Sequence, residues 1–108
     1  MSILKRRIYF MSKLDKQRRL SVPCDILKES KFPPNVEQIG VCYDFKEKSI
    51  YLLPYCSLAP SDVLISIRKF DQQGRFFFPK EAISLLDAAS DSLFLVYLHS
   101  NRICIRKI

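Results

Sequence analysis

The sequence predicts a mainly β fold: a pseudo-twofold barrel built by one chain, with about eight strands and two short helices. Three observations carry this. An eleven-residue motif occurs twice, Lys13-Leu14-Asp15-Lys16-Gln17-Arg18-Arg19-Leu20-Ser21-Val22-Pro23 and Lys69-Phe70-Asp71-Gln72-Gln73-Gly74-Arg75-Phe76-Phe77-Phe78-Pro79, with Lys, Asp, Arg and Pro in register at an offset of 56. Around each copy the apolar pattern gives the same order of elements, ββαββ. At 108 residues the chain divides into halves of roughly 50 residues, each too small to bury a good core alone. One domain over 1–108 follows, with repeat one at about 8–54, a connector at 55–62 and repeat two at about 63–108.

Each element has its own warrant. Ile8–Leu14 and Val63–Phe70 are rich in Ile, Val, Tyr and Phe, and Leu64-Ile65-Ser66-Ile67-Arg68 alternates as a half-buried strand does. Asp15–Arg18 and Asp71–Gly74 are polar turns, opened by an aspartate that accepts backbone N–H bonds two or three residues on. Gly74 supplies a positive φ where its turn closes; Arg18 holds the equivalent place, which implies a different turn or strain. The second strands are Arg19–Val22 and Arg75–Phe78, and Pro23 and Pro79 end them. Proline suits a first helical turn, so short helices follow at Cys24–Glu29 and Lys80–Leu86, with early acids favouring their N-termini. Pro33-Pro34 stops the first helix. Hairpins close the repeats: Ile39–Asp44 with Ser49–Leu53, and Ser92–Leu98 with Arg102–Lys107 about a His99-Ser100-Asn101 turn. Ile50 and Ile103 correspond at an offset of 53, which places about three extra residues of repeat one around Phe32–Val36.

Bulk properties restrict the function. A hydrophobic fraction of 48% argues against disorder, and no apolar run reaches membrane-spanning length, so a cytoplasmic protein without a membrane partner is expected. Cys24, Cys42, Cys56 and Cys104 are spaced by 18, 14 and 48 residues, with no close ligand pair and a single His99, which predicts reduced cysteines and no metal. Two glycines cannot make a phosphate-cradling loop, no carboxylate pair recurs, and no cysteine has an evident histidine partner. Neither an enzyme nor a cofactor is expected. The net charge is +7, and seven cationic side chains stand against Asp15 alone in the first nineteen residues. Clustered charge of this kind is the footprint of a polyanion. Lys5-Arg6-Arg7 read equally as an arm to DNA or a solvated end.

With both copies set out, the chain resembles the AbrB/MazE/SpoVT family and its tandem-repeat, MraZ-like members. The pattern carrying the resemblance is a strand, Asp-x-x-Gly-Arg, apolar positions, Pro and a short helix. Repeat two has all of it in Asp71, Gly74, Arg75 and Pro79; repeat one keeps Asp15, Arg19 and Pro23 without the glycine. The resemblance implies a swapped-hairpin, double-psi-like β barrel whose two halves come from one chain. It also implies a bacterial, nucleoid-associated, sequence-specific regulator of transcription that binds double-stranded DNA. By motif the contacting residues become Arg75 with Arg68 and Lys69, and Arg19 with Lys13; Lys16 and Arg18 add charge where Ser12 replaces the Arg68 equivalent.

Arginine at these positions suits the task, because its planar fork pairs bidentately with phosphate or a guanine edge. The blander reading makes Asp15–Arg19 and Asp71–Arg75 turn ion pairs, with Asp15, Asp71, Gly74, Pro23 and Pro79 as structural residues. Phe76-Phe77-Phe78 read as core packing before base stacking. The alternative function is a protein-interaction module, an antitoxin or assembly scaffold on the same barrel. A protein partner and further homo-oligomerisation stay open.

Overall fold

Period-two alternation turns one side of the ribbon formed by Arg19–Ser21 and Arg75–Phe77 toward the main core, while the central strands Ile39–Asp44 and Ser49–Pro54 are buried on both faces, with Cys42, Tyr51 and Cys104 in a second, smaller cluster. The computed structural model describes residues 9–30, 32 and 38–108. Repeat one comprises β1 (Tyr9–Lys13), β2 (Arg19–Ser21), α1 (Cys24–Glu29), β3 (Ile39–Asp44) and β4 (Ser49–Pro54). A 3-10 turn at Tyr55–Ser57 leads to repeat two, with β5 (Leu64–Arg68), β6 (Arg75–Phe77), α2 (Lys80–Leu85), β7 (Leu93–His99) and β8 (Arg102–Lys107). The protein is thus mainly β with two short helices, in the order ββαββ twice. His99 ends β7 rather than opening a turn, because it pairs with Arg102 across a two-residue loop in which Ser100 and Asn101 both take positive φ. Pro23 and Pro79 each sit one residue before a helix, and their carbonyls accept from the N–H groups of Leu27 and Ile83. Ile8, Lys5-Arg6-Arg7 and most of the expected insertion at Phe32–Val36 lie outside the described residues.

The strands form a six-stranded sheet in the order β1-β7-β8-β4-β3-β5 and a separate ribbon, β2-β6. Exchanging the repeats (β1 for β5, β7 for β3, β8 for β4) reproduces the same order read from the other end. The opening strand of each repeat is laddered onto the other repeat's hairpin. Tyr9–Lys13 pairs with Leu93–Tyr97, and β5 pairs with β3 from Ile39↔Arg68 to Cys42↔Leu64 around a bulge. β4 and β8 join the two hairpins through Ile50↔Ile105, Tyr51↔Cys104 and Leu52↔Ile103. β1 and β5 are the outermost strands and share no ladder with each other.

Corresponding core positions have unequal volumes in the two repeats. Leu14, Leu20 and Val22 are buried in repeat one; Phe70, Phe76 and Phe78 are their counterparts at the same offset, with Phe76 and Phe78 buried and Phe70 packed against them. The aromatic rings run in a chain: Phe32–Phe70 at 6.0 Å, Phe70–Phe76 at 6.1 Å, Phe76–Phe78 at 5.7 Å and Phe78–Phe94 at 5.0 Å. Leu20 faces Phe76 directly across the ribbon, so a smaller residue meets a larger one and fills the space. Fully burying one such side chain contributes about 1.5–3 kcal/mol.

The two motif turns cross-link the repeats. The Val22 N–H donates to the Gly74 carbonyl at 2.9 Å, and the Phe78 N–H donates to the Arg18 carbonyl at 2.7 Å. To aim those carbonyls, both residues adopt left-handed backbone, Gly74 at φ 75° and Arg18 at φ 63°. Repeat one therefore keeps the same turn with strain, rather than a different one. A Cβ at Gly74 would stand 3.0 Å from the Val22 carbonyl oxygen. Gly74→Ala is expected to destabilise the protein by about 1–3 kcal/mol. Arg18→Gly relieves the left-handed strain and is expected to gain up to about 1 kcal/mol. Urea unfolding midpoints of the two variants, moving in opposite directions from wild type, check the pair.

Candidate nucleic-acid interface

Each aspartate organises its own turn. Asp15 Oδ1 accepts from the N–H groups of Gln17 and Arg19 at 2.9 and 2.8 Å, and its Oδ2 accepts from Arg19 Nε at 2.8 Å. Asp71 repeats this with Gln73 and Arg75, both at 2.9 Å, and with Arg75 Nε at 2.7 Å. The bonds therefore reach two and four residues on, one further than the sequence pattern predicts. Backbone donation from the arginine's own N–H is the largest influence holding each carboxyl below its ordinary range; the guanidinium adds to it and partial burial opposes it.

The pairing does not bury the arginines. Their side chains keep 25% and 28% of their surface exposed. Only Nε is spent on the carboxylate. The Nη groups of Arg19 have no partner among the described residues, while Arg75 Nη2 donates to Gln73 Oε1 at 3.0 Å. In the ribbon Arg19 lies opposite Phe77, Leu20 opposite Phe76, and Ser21 opposite Arg75. Leu20 and Phe76 point into the core, so Arg19, Ser21, Arg75 and Phe77 share the outward face.

The remaining basic positions surround this ribbon. Lys13, at the end of β1, reaches Asp91 at 3.8 Å with both side chains largely exposed. Lys16 and Arg18 are exposed in the first turn, and Lys69 is exposed just after β5. Arg68 is held against the ribbon: its Nε donates to the Phe77 carbonyl at 3.1 Å and its Nη1 to Ser66 Oγ and the Ile67 carbonyl. Ser12, in the equivalent place, donates its hydroxyl to the Ser21 carbonyl at 2.9 Å. A shorter side chain thus performs the same bracing in repeat one. Phe77 corrects the expectation of a core triplet. It is 55% exposed while its neighbours are buried, as a strand's period of two requires. That alternation was the available signal for it.

The opposite side of the sheet carries a second polar cluster that sequence reasoning missed. The Tyr51 hydroxyl donates to Asp62 Oδ1 at 2.6 Å, the Ala59 N–H donates to Asp62 Oδ2 at 2.8 Å, and Arg102 lies over the Tyr51 ring at 4.4 Å. Tyr51 donation is the leading cause that lowers the Asp62 carboxyl, and burial above all raises the Tyr51 hydroxyl. This cluster fastens the connector to β4, with Arg102 brought in from the other repeat's hairpin. Beside it a shallow cleft of about 700 Å³ opens between Tyr9, Tyr97, Glu47 and Arg106. Cys42 and Cys104 are buried here and burial pushes both thiols up to about 11, whereas Cys24 and Cys56 are exposed. A thiol so raised is protonated at neutral pH and a weak nucleophile.

Among the described residues no helix is long and apolar enough to cross a membrane, and no three metal-ligating side chains converge. In comparisons with protein-family models and with curated proteins, the chain matches none.

The lowered carboxyls make a pH prediction. Asp15 and Asp71 bind protons less readily folded than unfolded, so their stabilisation is complete above the ordinary carboxylate pKa of about 3.9. It is lost as pH falls through the lower folded values. Urea unfolding followed down to about pH 2 should show wild-type stability dropping through this range, with a shallower drop for Asp15→Asn combined with Asp71→Asn. Equal slopes for the two proteins would contradict the assignment.

Proposed function

We propose that the protein is a double-stranded DNA-binding transcription regulator of the AbrB/MraZ type, acting from the bacterial nucleoid by occupying an operator. The observation that carries this reading is the ribbon: Arg19 and Arg75 stand on one exposed face, each held by its turn aspartate, with Lys13, Lys16, Arg18, Arg68 and Lys69 around them. A guanidinium held through Nε has little rotamer freedom left to lose on binding, and both Nη groups of Arg19 and Nη1 of Arg75 remain as donors for a phosphate or guanine. The exchange of opening strands between repeats supports the finer reading of the fold as a swapped-hairpin barrel. Most contacts would go to phosphates and set register, and a few would read bases.

The interaction-module reading has one observation in its favour. The outermost strands β1 and β5 carry the exposed apolar side chains Met11, Leu64 and Ile67. One titration separates the readings. Binding to duplex DNA should weaken as salt rises, with log affinity falling by about 0.9 per neutralised phosphate for each unit of log salt. Lys16→Gln combined with Lys69→Gln, both exposed and outside the turn hydrogen bonds, should flatten that slope by about 2 and leave the unfolding midpoint unchanged. Failure of the wild-type protein to bind duplex at low salt would overturn the DNA reading and leave a protein partner as the object of search.

A further inference from the structure

The two motif turns match bond for bond, yet the ribbon face between them is not symmetric. Exchange of the repeats maps Arg19 onto Arg75 and Ser21 onto Phe77. The exposed face therefore consists of two rungs, Arg19 beside Phe77 and Ser21 beside Arg75. One corner is a large aromatic ring with over half its surface in solvent, and the related corner is a hydroxyl. The fold does not need the ring: Ser21 fills the same place in repeat one, with the same bracing of its carbonyl from the neighbouring strand.

Resting on the DNA-binding reading, we propose that Phe77 makes the interface directional by contacting a thymine 5-methyl group in the major groove of one half-site, while Ser21 leaves the other half-site without that preference. A two-stranded ribbon fits the major groove, and the surrounding cations give the face a charge complementary to the duplex. Rungs two residues apart are separated by about 7 Å, close to two base-pair steps. Arg19 and Arg75 have donors for phosphate or guanine; Phe77 has neither donor nor acceptor. The apolar feature on the base-pair edges of that groove is the thymine methyl, so it is what a phenyl ring can select there. Serine bonds to donors and acceptors alike and discriminates little.

The test uses a duplex selected from random DNA by the wild-type protein, followed by replacement of thymines with uracils, which removes the methyl and leaves the pairing. Fluorescence anisotropy should show affinity falling about fourfold for each contacted methyl removed, in one half of the site only. Phe77→Ser should bind with no uracil effect, Phe77→Leu should retain it, and Ser21→Phe should create it in the other half. Wild-type binding that ignores uracil, or a uracil effect surviving in Phe77→Ser, overturns this inference while the DNA reading stands. Absence of any duplex binding overturns both.

Discussion

Reciprocal hydrogen bonding between the two motif turns is the constraint on which the rest of the architecture depends. Each turn must present a carbonyl, of Arg18 or Gly74, to the amide that follows the other repeat's second strand. Both carbonyls are presented from left-handed backbone. The aspartate makes such a turn tolerable, since one carboxylate collects two backbone N–H groups and a guanidinium nitrogen. With both turns in place, β2 and β6 lie side by side, Leu20 and Phe76 meet beneath them, and the arginines are turned outward. Removing the reciprocity would loosen β2 from β6 and with it the contact of Leu20 with Phe76 that joins the two halves' cores.

The repeats have diverged in a compensating manner. Repeat two supplies rings where repeat one supplies leucine and valine, and the ring chain runs from the partly buried Phe32 and Phe70 to the buried Phe76, Phe78 and Phe94. Two aromatic halves would overfill that space and two aliphatic halves would leave voids, each of which costs stability. The missing glycine at position 18 is a strain of the kind found at functional positions, and the residue accepted there is an exposed cation. Bracing of the ribbon shows the same economy: a serine hydroxyl on one side and an arginine Nε on the other reach equivalent carbonyls.

Charge on this face includes two contrasting classes. Arg19 and Arg75 are paired with their turn carboxylates, so each pair is close to neutral and its value lies in fixed geometry. Lys16, Arg18 and Lys69 are exposed and unconstrained by such pairs, and they carry the long-range field. An encounter with a polyanion would be steered by the second class and oriented by the first. Exposed pairs contribute little to stability on their own, so the turn hydrogen bonds, rather than the ion pairs, sustain the fold.

Much of this was legible in the chain. The doubled Asp-to-Pro motif marks the turns, strand starts and helix starts, because aspartate, glycine and proline impose local backbone conformations that need no distant partner. Alternation marked the hairpins, and it also held the information about Phe77, although three consecutive phenylalanines read as core. Contacts between separate elements were not legible: β1 choosing β7, Tyr51 finding Asp62, Arg68 reaching the Phe77 carbonyl. By itself the sequence determined local conformation and the existence of two equivalent halves. Only the tertiary structure decided which strand of one half completes the other, and so which side chains share an exposed face, because those choices depend on burying both halves' apolar surface in one core.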